Sequence, residues 1–178
     1  IACGACRRDG RAFCDDYLRL VRACADGAAR RDEILHFSHT IGFLTGDEEK
    51  AMLDAHVRAA TVVGAPFAAD AQPFDFGEQD IARRISADVS TMLRLRLTPP
   101  RREIYSLHRR LNGCFQLAAR VGARIPARDI LLDFEANHAF LTAVEREVAA
   151  AATEGGDSFS AAGMHTDRRD GTVVPVST

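Results

Sequence analysis

Two pairs of side chains have spacings suited to metal binding. Cys3 and Cys6 form a Cys-x-x-Cys pair, and His36 and His39 lie three residues apart. A structural zinc site needs four ligands in tetrahedral geometry, and no second pair stands at a matching spacing. Cys14 and the next cysteine lie ten residues apart on one predicted helix, which is about 15 Å along its axis and too far to share an ion. We expect no metal site and no disulfide framework in this chain.

Two further histidines are expected to have structural roles. His56 lies in the apolar stripe of a predicted helix, where a hydrogen-bonded core histidine is commoner than a metal ligand. His108 lies one turn before Asn112, and we expect it to hydrogen-bond between helices.

Two short segments share letters with the phosphoryl-transfer motifs of protein kinases. Residues 74–77 contain Asp-Phe-Gly, in which Asp75 would hold Mg²⁺, and residues 108–112 resemble the catalytic loop. In a kinase, however, the catalytic loop precedes the metal loop, and here Arg110 stands where the base Asp is required. We expect neither segment to be catalytic, and we expect Asp75 to cap or precede a helix that starts near Glu78.

Apolar residues recur at helical spacing through most of the chain. They predict six helices, over about residues 13–27, 30–41, 45–64, 78–97, 99–120 and 128–150. In the last of these, Ile130, Leu131, Phe134, Leu141 and Val144 are expected to face inward. Residues 93–97 and 170–177 alternate as strands do, but we expect no sheet from them.

Several helix boundaries have recognisable sequence signals. Thr45 followed by Glu48 has the form of a capping box at the start of the third helix. Pro99 and Pro100 suit the first turn of the fifth helix, where no N–H donor is needed. Gly113 falls inside that helix, where a glycine costs about 1 kcal/mol relative to alanine, so we expect it to mark close packing against another element.

Composition excludes some classes of function. The net charge is −2, so no global field attracts nucleic acid, and we expect no nucleic-acid binding. No apolar run is long enough for a transmembrane segment. From residue 153 to residue 178 glycine, serine and charged residues dominate, and we expect a disordered tail there.

Four blocks of the sequence carry a family resemblance. They are DDYLRLVRACADG (15–27), FLTGDEEKAMLDAHV (43–57), GAPFAADAQPFDFG (64–77) and PPRREIYSLHRRLNGCFQLAARVGARIP (99–126). In this order they resemble the C-terminal region of the UbiB/AarF-type atypical kinases, in the branch associated with coenzyme Q biosynthesis. The resemblance gives out before the tail.

The resemblance implies an all-α fold, the C-terminal helical lobe of a protein-kinase-like domain over residues 1–152, without the nucleotide-binding lobe and the catalytic loop. The first residues resemble the family's metal loop. Ala2 stands where the family has the metal-binding Asp, and Cys3 where it has Phe, while Gly4 matches the loop glycine. A methyl group cannot coordinate Mg²⁺, so we expect no catalytic, cofactor-binding or metal-binding residue in this chain. An artefact at the start of the sequence is the alternative explanation of Ala2.

By the same resemblance, the complete protein uses ATP and magnesium, and this chain alone binds neither. The implied function is that of an atypical kinase or ATPase that supports coenzyme Q (ubiquinone) biosynthesis in the mitochondrion. The implied partners are coenzyme Q biosynthesis proteins and either an isoprenoid lipid or the surface of the inner membrane. The alternative, suggested by Ala2, is a catalytically inactive pseudokinase that serves as a helical scaffold for partner proteins or lipid.

Overall fold

The computed structural model describes residues 9–154, and these form seven α-helices and one pair of short strands. The helices are α1 (Arg11–Ala25), α2 (Arg31–Thr40), α3 (Lys50–Gly64), α4 (Ile81–Leu95), α5 (Arg102–Arg120), α6 (Ala127–Asn137) and α7 (Ala143–Glu154). Strands β1 (Phe74–Asp75) and β2 (Arg124–Ile125) pair antiparallel. The all-α fold class is confirmed. The strand pair was not predicted; it joins the loop before α4 to the turn after α5.

The chain divides into two compact units, one up to Phe140 and one from Leu141 onward. The main core of the first unit brings together α1, α2, α3 and α5, as their apolar stripes predict. Ile34 on α2 and Ile104 on α5 are almost completely buried in it. Its buried members are Leu20, Ala23, Cys24, Ile34, Ile41, Val57 and Ile104. A second cluster, Phe74, Phe76 and Ile81, lies where the strand pair meets α4.

The chain turns sharply at the end of α2. Gly42 has φ +77°, a left-handed conformation that glycine adopts without strain. The N–H of Phe43 donates to the carbonyl of Ser38 at 2.8 Å, and the N–H of Gly42 donates to the carbonyl of His39 at 2.9 Å. These two bonds form a Schellman motif, which reverses the chain and directs Phe43 back toward the main core.

Two helices start later than the sequence signals suggest. The Glu48 carboxylate does accept hydrogen bonds from the backbone N–H and the hydroxyl of Thr45, at 2.7 and 2.9 Å. These bonds close a turn ahead of α3, which begins only at Lys50. Pro99 and Pro100 likewise precede α5, which begins after an extended Arg101. A residue that precedes proline is disfavoured in the helical region, so the first proline of the pair is held extended.

The prediction of a single helix over residues 128–150 was wrong, because α6 ends at Asn137 and α7 begins only at Ala143. His138 has an extended backbone. The Thr142 hydroxyl accepts from the N–H of Glu145 at 3.3 Å, while the Glu145 carboxylate accepts from the N–H of Thr142 at 2.8 Å. This capping box starts α7, and its Thr-x-x-Glu pattern was visible in the sequence.

Several residues expected to be buried are exposed in the described structure. Ile130, Phe134 and Val144 are 57%, 59% and 69% exposed, whereas Leu131 is buried as predicted. Gly113 is also exposed, and a β-carbon placed on it would meet no atom of another element within 4 Å. The expectation that Gly113 marks close packing was therefore wrong.

Candidate functional site

An apolar cavity of about 170 Å³ lies between α1, α3, α4 and α5. Tyr17, Phe43 and Phe67 contribute aromatic rings to its wall, and aliphatic side chains from the four helices supply most of the remainder. Two imidazoles, those of His56 and His108, interrupt this apolar lining. Buried polar side chains normally serve a structural or functional role, so we take these two histidines as the candidate functional site.

His56 is held in place from the next helix. It lies on the buried face of α3, and its Nε2 is 2.8 Å from the hydroxyl oxygen of Ser38, which is fully buried on α2. Its ring packs 4.7 Å from that of Phe43. Burial, followed by the charge of Arg96, lowers the pKa of His56 to about 4. His56 is thus the hydrogen-bonded core histidine that the sequence predicts, and it is neutral at pH 7.

His108 enters the cavity from α5 through aromatic contacts. Its ring lies 5.4 Å from that of Phe43 and meets the ring of Tyr17 edge-on at 6.0 Å. Burial, followed by the charge of Arg96, lowers the pKa of His108 to about 4. No described residue hydrogen-bonds with this imidazole, so the interhelical hydrogen bond predicted for His108 is not formed. The ring is held by its contacts with Tyr17 and Phe43. At pH 7 both imidazoles of the cavity are therefore uncharged.

The positive charge of Arg96 acts on both histidines, although Arg96 is not among the residues that line the cavity. It follows the last residue of α4, and its guanidinium carbon lies 4.8 Å from the centroid of the Phe43 ring. Its Nη1 is buried without a hydrogen-bond partner among the described residues, and none of their carboxylates pairs with it. Desolvation lowers the pKa of Arg96, and the charge of Glu48 acts in the opposite direction. A buried guanidinium nitrogen left unpaired is energetically costly. The sequence analysis did not identify this residue.

The two kinase-like segments have structural roles. Asp75 accepts hydrogen bonds from the N–H groups of Gly77 and Glu78 at 2.9 and 3.2 Å, and it pairs with Arg124 at 3.2 Å. It therefore holds the turn before α4, but it does not cap that helix. The cap is Asp80, which accepts from the N–H of Arg83 at 3.1 Å. The expectation that a helix starts near Glu78 was wrong by about one turn.

The second segment, residues 108–112, lies within α5. Arg110 pairs with Asp9 at 3.4 Å, and Asn112 is exposed and accepts a bond from Gln116 on its own helix. Arg110 and Asp75 thus each form an ion pair within the described structure, with Asp9 and Arg124 respectively.

The candidate metal ligands remain apart. His36 and His39 are exposed on α2, Cys14 is exposed, and Cys24 is buried, where desolvation raises the pKa of its thiol to about 12. Within residues 9–154, no three Asp, Glu, His or Cys side chains form a group that could hold a metal ion. Residues 2, 3, 4 and 6, on which the metal-loop comparison depends, lie outside the described range.

No helix of the described part of the chain combines the length and the apolar character that a bilayer crossing requires.

Comparison with known proteins identifies relatives at substantial identity, although no family model matches the chain. "Atypical kinase COQ8B, mitochondrial" of Rattus norvegicus is 47% identical over 73% of this chain and 24% of its own length. "Atypical kinase coq-8, mitochondrial" of Caenorhabditis elegans is 39% identical over 77% of this chain and 18% of its own length. "Atypical kinase COQ8, mitochondrial" of Saccharomyces cerevisiae is 40% identical over 65% of this chain and 24% of its own length.

This chain thus spans only 18% to 24% of the length of these three relatives. The matches run over 118 to 137 residues and agree with the four sequence blocks and with the helical fold. The chain belongs to the UbiB family of atypical kinases, as part of an all-α, kinase-like C-terminal lobe.

Proposed function

We propose that this chain is the helical C-terminal lobe of a mitochondrial atypical kinase or ATPase that acts in coenzyme Q biosynthesis. The observation that carries the proposal is the 47% identity, over 73% of the chain, to a relative named as a mitochondrial atypical kinase. The contribution of the described residues is a packed helical core, which supports the lobe. The groups that hold ATP and magnesium are proposed to lie elsewhere in the complete protein.

A chimera tests the proposal. In the Saccharomyces relative, the matched stretch of 118 residues would be replaced by its counterpart from this chain. We expect the chimera to restore coenzyme Q in a yeast strain that lacks its own COQ8, because the two stretches are 40% identical. The measurement is the coenzyme Q content of isolated mitochondria, together with the amount of chimera present there.

Two variants of the chimera provide matched controls. Met52→Asp places a charge at a fully buried position, so it should abolish both accumulation and coenzyme Q. Arg84→Gln changes an exposed position on α4 and should leave both unchanged. A chimera that accumulates normally and restores no coenzyme Q would refute the proposed function.

The alternative function is that of an inactive scaffold, and Ala2 is the observation that favours it. In this case the complete protein binds biosynthetic proteins, or an isoprenoid lipid at the inner membrane, without ATP turnover. If Ala2 occupies the metal position, a complete protein that carries Ala2→Asp should hydrolyse ATP measurably faster than the unchanged protein, because Mg²⁺ neutralises charge on the phosphates. Equal, substantial rates would show that Ala2 does not occupy the metal position. If neither protein turns over ATP and both restore coenzyme Q, the scaffold function is supported.

A further inference from the structure

We propose that the apolar cavity between α1, α3, α4 and α5 is a binding site for a small uncharged molecule, a hydrocarbon group of about six carbons that carries one hydroxyl. The hydrocarbon group would fill the cavity, and the hydroxyl would hydrogen-bond with the imidazole of His108 in its wall. Such a site goes beyond the proposed function, because it does not depend on ATP turnover or on coenzyme Q.

The volume of the cavity sets the size of the hydrocarbon group. The space is about 170 Å³, and an apolar cavity of about 150 Å³ is known to bind benzene. Leu20, Ala60, Val63 and Ile85 contribute aliphatic surface to the wall. An aliphatic wall offers water few partners, so a hydrocarbon group is favoured there over water.

None of the described residues that line the cavity is charged at pH 7. The titratable side chains among them are Tyr17, Cys24, His56 and His108. Burial raises the pKa of the Tyr17 phenol, raises that of the Cys24 thiol to about 12, and lowers those of the two imidazoles to about 4. A charged ligand group would lose its hydration there without gaining a partner of opposite charge, which is costly. The wall therefore favours an uncharged ligand.

The imidazole of His108 is the polar group that a ligand hydroxyl would satisfy. Its ring is held by aromatic contacts with Tyr17 and Phe43, and it hydrogen-bonds with no described residue. Neither ring nitrogen is sealed off inside the protein, unlike Nη1 of Arg96. Both nitrogens of His108 are therefore open to a molecule of the size of water, whereas Nε2 of His56 is occupied by Ser38.

The position of His108 also provides a path to the cavity. This ring lines both the cavity and an adjoining groove of about 370 Å³ beside α5. The exposed amides of Asn112 and Gln116 line the groove but not the cavity, so the groove leads from solvent to His108. A neutral imidazole has one N–H donor and one acceptor nitrogen. Because a hydroxyl both donates and accepts, it can pair with either nitrogen, whereas a carbonyl can pair only with the N–H.

Cyclohexanol and methylcyclohexane are the probes, because they match in shape and differ in one hydroxyl. The full chain would carry ¹³C-methyl methionine, so that Met92 in the cavity wall and Met52, fully buried and not part of that wall, report separately. We expect both probes to shift the Met92 methyl signal saturably and to leave that of Met52 in place. Cyclohexanecarboxylate, which has the same ring and a negative charge, should cause no saturable shift at neutral pH.

Two variants separate the hydroxyl contact from the hydrocarbon contact. His108→Phe keeps an aromatic ring in the wall and removes both ring nitrogens. It should weaken cyclohexanol binding about tenfold and change methylcyclohexane binding by no more than about twofold, because only cyclohexanol loses a hydrogen bond. Ala60→Leu reduces the space in the cavity and should weaken the binding of both probes. His36→Gln, which removes an exposed imidazole, is the matched control and should change neither.

Four results would overturn the proposal. The first is the absence of a saturable Met92 shift at millimolar cyclohexanol in a folded protein. The second is a His108→Phe variant that affects the two probes equally, which would leave an apolar cavity without hydroxyl recognition. The third is binding of cyclohexanecarboxylate as tight as that of cyclohexanol. The fourth is an Ala60→Leu variant that binds both probes as the unchanged chain does. The titrations of the unchanged chain apply even if a variant fails to fold.

Discussion

Acidification from pH 7 to pH 4 is expected to lower the free energy of unfolding by about 3 kcal/mol for each of His56 and His108. Both imidazoles line the cavity, and burial lowers the pKa of each from 6.5 to about 4. One pKa unit corresponds to about 1.4 kcal/mol of differential stability between the two states. Since Arg96 acts on both rings, and His108 acts on His56, the two contributions are coupled.

The direction of the effect follows from proton uptake. In the unfolded chain an imidazole takes up its proton near pH 6.5, whereas these two remain neutral in the folded chain until about pH 4. Between these values the unfolded state binds more protons, so acid favours unfolding. The contribution is fully present above pH 6.5 and is lost as the pH falls through 4. Urea unfolding curves at intervals between pH 7.5 and pH 4 would measure this loss.

Replacement of one ring identifies the source of the pH dependence. His108→Phe keeps an aromatic ring beside Tyr17 and Phe43 and removes one titrating group, so the slope of stability against pH should fall by about half. His36→Gln changes an exposed imidazole and should leave the slope as it was. If His108→Phe retains the full slope, His108 is not a source of the pH dependence.

The sequence predicted the helices of the main core well, because each has a buried stripe at helical spacing. The stripes of α1, α2 and α3 include Leu20, Ile34 and Val57, which are all buried. The strand pair could not be predicted in this way. Each strand has two residues, so neither shows a periodic pattern, and the pairing depends on how α5 returns the chain to the loop before α4.

The candidate site was predicted only in part. The apolar stripe around His56 indicated a core histidine, but its partner Ser38 lies on another helix and has no sequence signal of its own. Arg96 could not be identified from the sequence for a different reason. Its position depends on the end of α4 at Leu95 and on the reversal at Gly42 that brings Phe43 beneath the guanidinium. Such a contact between distant segments follows from tertiary packing and not from local pattern.

Glycines illustrate the same limit, because the close approach predicted at Gly113 occurs at Gly64. Gly64 ends α3, as predicted, but its backbone angles are φ −76° and ψ −16°, which any residue can adopt. The requirement at this position is space. A β-carbon on Gly64 would clash with the carbonyl carbon of Cys24 and would lie 2.7 Å from the nitrogen of Ala25. Backbone atoms of α1 cannot move aside as a side chain can, so here α1 and α3 make the close approach expected at Gly113.

The substitution Gly64→Ala is therefore expected to destabilise the chain by at least about 3 kcal/mol, at the upper end of the usual cost of overpacking. Gly113→Ala makes the same chemical change at an exposed position of α5, where the new methyl group meets no other element. It should stabilise the chain by about 1 kcal/mol, because alanine favours the helix over glycine. Urea unfolding of both variants at pH 7.5 compares them directly. Shifts of opposite sign would support the close contact between α1 and α3, whereas a neutral Gly64→Ala would show that these two helices can separate at little cost.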